Sequence, residues 1–164
     1  MITFRLARAD DLVDIVRIYN STIPSRMVTA DTEPVTVESR VAWLEKHTPQ
    51  RPIWVVDLDG RTAGWVALHA FYGRPAYATT AEISIYLDER FRGKGLGGRV
   101  LDVAITQAGA LGVKTLLGYI FSHNEISVRL FRSRGFMEWG TLPNVAVLDG
   151  IERSLKIFGK RILG

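Results

Sequence analysis

The stretch that most restricts the fold runs from Ala81 to Phe121. An apolar run, AEISIYLD (81–88), leads into RFRGKGLGGRVL (90–101). Val100, Leu101, Ala104, Ile105 and Ala108 then recur at helical spacing up to Gly112, and KTLLGYIF (114–121) follows as a second strand. A strand, a glycine loop, a helix and a strand in that order form a crossover, which makes the two strands parallel neighbours. Gly95, Gly97 and Gly98 remove the Cβ atoms that would block close approach, and the helix start offers free N–H groups and the positive end of a dipole. Such a loop is a phosphate cradle.

The flanking segments predict antiparallel additions. ITFRLA (2–7) alternates as a strand, and Leu12, Ile15, Val16, Tyr19 and Ile23 mark a helix behind Asp10 or Asp11. The loop PSRMVTADTEP (24–34) precedes a second helix from about Val35 to His47, opened by Pro34 and Thr36. IWVVDLDGRTAGWVALHAF (53–71) reads as a hairpin turned at Asp57–Gly60, and HNEISVRLFRSRG (123–135) as a short helix. The rest reads as two closing strands turned at Asp149–Gly150. The expected fold class is α/β with α+β character: one domain over residues 1–164, a central mixed sheet of six to seven strands and about four helices.

The chain has no cysteine, which rules out disulfides, thiolate metal sites and a cysteine nucleophile; the cytoplasm is the expected compartment. No apolar run is long enough to span a bilayer, so no membrane partner is expected. His47 and His69 stand at no ligand spacing, and no metal is expected. Lys and Arg total 21 against 17 Asp and Glu, a net charge of +4 that favours an anionic partner. The basic residues are spread along the chain without a nucleic-acid-binding motif, so that partner is not expected to be nucleic acid.

The loop carries two signatures. Gly93 to Gly98 fit G-x-G-x-x-G, the dinucleotide fingerprint, and Arg92 to Gly97 fit R-x-x-G-x-G, a pattern of acyl-CoA-binding loops. A dinucleotide fold wants an acidic residue at the end of the next strand for the ribose hydroxyls. Here that end is GYIFSHN, with no acid before Glu125. A nucleotide P-loop has no match, since Gly93-Lys94 is followed by glycine.

With Arg92-Gly93-Lys94-Gly95-Leu96-Gly97 after ISIYL, and with NEISVRLFRSRGF (124–136) downstream, the chain resembles the GCN5-related N-acetyltransferases (GNAT). The resemblance implies a single GNAT domain and acetyl-CoA as co-substrate. It places Arg92, Gly93, Lys94, Gly95, Leu96, Gly97 and Gly98 at the pyrophosphate and Asn124 on the cofactor. The backbone of Ile85, Tyr86 and Leu87 would pair with pantetheine and, if the strand is bulged there, hold the thioester carbonyl. TADTEP (29–34), GRPAY (73–77) and TAEISIY (80–86) look like the phosphinothricin and methionine sulfone acetyltransferase group. They imply a small-molecule amine acceptor, the α-amino group of a small amino acid or analogue, and a homodimer.

Acetyl transfer to an amine needs a neutral nucleophile, so something must take the ammonium proton. Glu82, at the start of the strand before the loop, is the candidate base; the plain alternative is a solvated edge glutamate. Phe131 stands where relatives carry a Tyr or His proton donor, and His123 is a substitute or simply a helix cap. Arg74 is the first candidate for the acceptor carboxylate and Arg26 the second, because a guanidinium fits a carboxylate bidentately. Tyr77 and Thr80 would line the same pocket, and Glu33 would meet the ammonium or support a helix start. The competing functions are transfer to another amine, such as a polyamine, an aminoglycoside or a protein N-terminus, and a CoA-binding module without catalysis.

Overall fold

Local signals set the boundaries of most elements in the computed structural model, which describes residues 1–162; the last two positions of the expected domain lie outside the described residues. Helix α1 (Leu12–Ser21) buries Leu12, Ile15, Val16, Ile18 and Tyr19, one helical stripe. Helix α2 (Val37–Glu45) starts where the Thr36 hydroxyl accepts the Ser39 N–H at 3.1 Å. Helix α3 is Leu96–Ala110 and α4 is Glu125–Ser133. The strands are β1 (Ile2–Leu6), β2 (Ile53–Leu58), β3 (Arg61–Ala70), β4 (Thr80–Leu87), β5 (Thr115–Phe121), β6 (Met137–Leu148) and β7 (Ile151–Arg161). Two hairpins, β2–β3 and β6–β7, turn on Asp59-Gly60 and Asp149-Gly150, all four residues at positive φ as a tight hairpin requires.

These strands make one seven-stranded mixed sheet in the order β1-β2-β3-β4-β5-β7-β6. Every pairing is antiparallel except β4 with β5. The expected strand and helix numbers hold among the described residues, with short 3-10 turns added at 9–11, 75–77 and 89–91.

Alternation divides the sheet into two faces. Val66 and Leu68 of β3 with Ala81 and Ile83 of β4 face one core, shared with Val100, Leu101 and Ala104 of α3 and Val128 and Phe131 of α4. Trp65 and Ala67 of β3, with Tyr86 of β4 packed on them, face the other, shared with Ile15, Ile18 and Tyr19 of α1. β4 therefore presents its even-numbered side chains to α1 and α2, and its odd-numbered ones to α3 and α4.

Asp88 fixes the point where β4 hands over to the glycine loop. Its buried carboxylate accepts Nη2 of Arg90 at 2.6 Å and Nη1 of Arg17, on α1, at 2.9 Å, and it caps the next turn through the Arg90 N–H. The Arg90 hydrogen bond foremost, then that from Arg17, holds this carboxyl well below the usual range. A depressed folded-state pKa contributes stability above the unfolded carboxylate value of about 3.9, and that contribution is lost as pH falls toward the folded value. Denaturant melts should therefore show stability dropping below about pH 4. Asp88→Asn should be less stable at pH 7 and should decline less over that acid range.

Candidate active site

β4 and β5 pair over three positions only, Thr80 with Thr115, Ala81 with Leu116 and Glu82 with Leu117. Beyond them β4 keeps its β3 partners through Leu87 and β5 keeps its β7 partners through Phe121, but the two share no ladder. One backbone edge of Ile83–Leu87 is thus left without a strand neighbour, and a cleft opens there. Helix α4 closes its base on the α3 side. A methyl added at Gly97 would lie 3.3 Å from Leu130 and 3.7 Å from Leu87, and one at Gly118 would lie 2.7 Å from the Phe131 ring.

The glycine loop stands at the open end of this cleft. Gly93 and Gly95 have φ of 79° and 71°, and Gly95 is the left-handed N-cap of α3. No side chain caps that helix and no acid stands in its first turn, so the N–H groups of Leu96, Gly97 and Gly98 have no intrahelical acceptor. Lys94 is exposed beside them. This donor set fits the pyrophosphate of a CoA ester, and the bared edge of the Ile85–Leu87 segment, with the Ile85 N–H and carbonyl and the Leu87 N–H on it, fits an extended amide-bearing arm. The Arg92 side chain donates its Nε and Nη2 to the Leu87 carbonyl at 3.0 and 2.7 Å, closing the end of β4.

The resemblance also implied a bulge in β4, and the β3–β4 register corrects it: pairing runs unbroken from Gly64–Leu87 to Ala70–Ala81. Gly64 lets the strands lie flush, since a Cβ there would meet the Tyr86 carbonyl at 2.5 Å. Departure of β5, and no inserted residue, is what bares the backbone groups of β4.

Glu82 occupies the last shared pair, where the cleft begins, and its side chain points to the α1–α2 face opposite His69. Burial alone pushes its carboxyl above the ordinary range. Tyr119 of β5 lies on the same face two residues past Leu117, and its phenol is pushed up by burial and then by the Glu82 charge. No motif in the sequence marks Tyr119; only the parallel register brings it toward Glu82. Ser84 and Tyr86 continue this face into a cavity of about 180 Å³ bounded by Ile15, Val16, Tyr19, Arg40, Trp43, Trp65 and His69.

The other expected residues are distributed as follows. Arg74 caps an exposed 3-10 turn between β3 and β4, with Tyr77 on that turn stacked edge-on against Phe71 at 5.3 Å; neither lines the cavity. Thr80 opens β4, and Glu33 is exposed three residues before the Thr36 cap. Arg26 is engaged, its Nε donating to Asp149 at 2.7 Å. Asn124 caps α4, its Oδ1 accepting from the Ser127 N–H at 3.2 Å; among the described residues its amide NH2 donates to nothing. His123 Nε2 meets the Arg26 carbonyl at 2.9 Å, while its Nδ1 is buried without a partner among the described residues. Phe131 is core, packed on Phe136 at 4.8 Å. Among the described residues, no three metal-binding side chains are clustered, and no helix is long and apolar enough to cross a membrane.

A split parallel pair with a glycine-rich helix start at its mouth defines a CoA-type acyltransferase site, and comparison with known proteins agrees. The chain belongs to the Acetyltransferase (GNAT) family, whose model matches residues 15–136. It is 52% identical over 161 residues to YwnH of Bacillus subtilis, which carries the provisional name phosphinothricin acetyltransferase; the match covers 98% of this chain and 99% of that one. It is 34% identical over 147 residues to the L-methionine sulfoximine/L-methionine sulfone acetyltransferase of Pseudomonas aeruginosa, covering 87% and 84% of the two chains. A GNAT phosphinothricin acetyltransferase from Sinorhizobium meliloti, solved in complex with acetyl-CoA, superimposes with a TM-score of 0.88 at 27% identity, covering 98% and 88%.

Gly97→Asp should abolish the cradle, since the new carboxylate meets both Leu130 and the phosphate charge. Calorimetry should find acetyl-CoA affinity reduced by more than tenfold, and no NAD binding to either protein.

Proposed function

We propose that this protein transfers an acetyl group from acetyl-CoA directly to the α-amine of a small amino acid or an analogue of the phosphinothricin or methionine sulfone type. The observation that carries this reading is Glu82: a half-buried carboxylate with a raised pKa, held where the cleft opens and facing the acceptor side. Acetyl-CoA supplies the activated acyl carbon. Gly93, Lys94, Gly95, Leu96, Gly97 and Gly98 hold its pyrophosphate, and the backbone of Ile85, Tyr86 and Leu87 aligns its arm and polarises the acyl oxygen. Asn124 donates its free amide to the same ligand.

Glu82 accepts the ammonium proton at its carboxylate, and burial brings its basicity closer to that task. Arg74 holds the acceptor carboxylate from the turn before β4, with Tyr77, Thr80 and Glu33 completing that side. With Phe131 apolar, the departing sulfur receives no side-chain proton there; a thiol with a pKa of about 8.5 departs as thiolate or takes its proton from water. The protein works in the cytoplasm as a homodimer that engages neither membrane nor nucleic acid. Its closing strand β6 exposes Met137, Trp139, Val145 and Val147, apolar surface suited to a second copy.

Glu82→Gln preserves shape and removes the base, so kcat should fall by roughly 10²–10⁴-fold with acetyl-CoA affinity nearly constant. In the native protein kcat/KM should decline as pH falls through the raised Glu82 pKa; in the variant that limb should vanish and activity recover at high pH. Native kcat in the variant would end the assignment. Arg74→Ala should raise KM for methionine sulfone far more than for its decarboxylated amine, as steady-state assays would read.

A further inference from the structure

The chemistry just described uses none of the side chains that line the 180 Å³ cavity between α1, α2 and the sheet. Its floor is Ser84 and Tyr86 of β4 with Trp65 and His69 of β3; its roof is Tyr19 of α1 with Arg40 and Trp43 of α2. The floor continues directly from Glu82, because Glu82, Ser84 and Tyr86 project from one face of β4 at steps of roughly 6.7 Å.

Arg40 is the cationic side chain of this lining. His69 beside it is pushed down to about 4, by burial first and then by His47, so it is neutral at physiological pH. The Arg40 guanidinium lies 5.1 Å from the Tyr19 ring centre and 5.7 Å from that of Trp43, so aromatic faces hold it. Its partner within the protein is distant: Nη2 lies 3.5 Å from Asp31 Oδ2, at the limit of a hydrogen bond. Asp31 is engaged closely elsewhere, accepting the Tyr19 hydroxyl. Among the described residues, the other N–H groups of Arg40 donate to nothing.

Three acceptor types can be weighed against this lining. A cationic side chain would meet the guanidinium charge. A purely apolar one would strip water from the Arg40 donors and leave them unpaired, at a cost in affinity. A compact group with two acceptor oxygens on one atom matches the planar donor fork and fits between the rings. In methionine sulfone five bonds separate the amine nitrogen from the sulfone oxygens, an extended reach of about 6 Å, comparable to the step from Glu82 to Ser84.

We propose that Arg40 determines acceptor specificity by binding the oxygen-bearing end of the side chain, a sulfone, sulfoximine or phosphinate, within this cavity while the α-amine lies at Glu82. The proposal rests on the amino-acid reading of the site. The amine and carboxylate are held by β4, its preceding loop and Glu33, whereas the side chain is read by α2.

The test compares methionine sulfone with methionine, its counterpart without the two oxygens, in the native protein, Arg40→Gln and Arg40→Lys, each checked for folding by its melting temperature. The native protein should favour the sulfone in kcat/KM. Arg40→Gln should lower that preference by about 10- to 100-fold, mainly through the sulfone KM, with acetyl-CoA affinity unchanged. Arg40→Lys, which keeps charge and bulk but loses the fork, should lose an intermediate share and covers the case in which the glutamine variant does not fold. Equal losses on both amino acids, or an undiminished preference, would show that Arg40 only props the aromatic roof and would overturn the proposal with the amino-acid reading intact. Native protein that turns over neither amino acid would overturn both together.

Discussion

Backbone amides inside a sheet are satisfied by the strands on either side, so a sheet interior ordinarily has nothing to offer a ligand. Here β4 and β5 part after Glu82 and Leu117, and that separation creates the site. It bares one edge of Ile83–Leu87 in the middle of the molecule, flanked by two cores that keep the edge straight. The glycine loop is set at the same place, because Asp88, accepting the Arg90 N–H, and Arg92, donating to the Leu87 carbonyl, anchor it to the end of a strand whose other edge is bare. The raised Glu82 pKa follows as well, since the carboxylate sits at the fork, half withdrawn from water.

Much of this arrangement was legible from residue order. Asp-Gly steps pin both hairpins because few other pairs accept two successive positive φ angles, and Gly93 and Gly95 mark the cradle for a related reason. The crossover from β4 through α3 to β5 followed from alternating periodicities, and α2 was found within two residues of its ends. The divergence of β4 from β5 left no local trace: a strand reads the same whether one or both of its edges are paired. The unbroken β3–β4 register was hidden too, as it depends on Gly64 lying under the Tyr86 carbonyl far along the chain.

The candidate residues separate in the same way. Those within one loop, from Gly93 to Gly98, lie at the helix start that periodicity predicted, because a helix start organises its own neighbours. Arg92 lies on that motif but turns to the Leu87 carbonyl, the nearest strong acceptor. Arg40 and Tyr119 belong to no motif. Arg40 sits on a helix with no fully buried residue and gains meaning only when α2 is laid against α1, which sets the guanidinium between Trp43 of its own helix and Tyr19 of the other. Such groups are products of non-local packing, which a linear pattern does not encode.

The narrow join between β4 and β5 has a mechanical side. Strands β1 to β4 form one antiparallel block and β5 to β7 another, and three residue pairs are all the ladder that links them. A load crossing the sheet therefore concentrates on Thr80–Glu82 and Thr115–Leu117, with α3 and α4 as struts across the gap. An extended ligand laid along β4 occupies the place of the missing ladder and braces the two blocks. Amide hydrogen exchange would register that bracing as protection spreading through both blocks at once, beyond the groups the ligand touches.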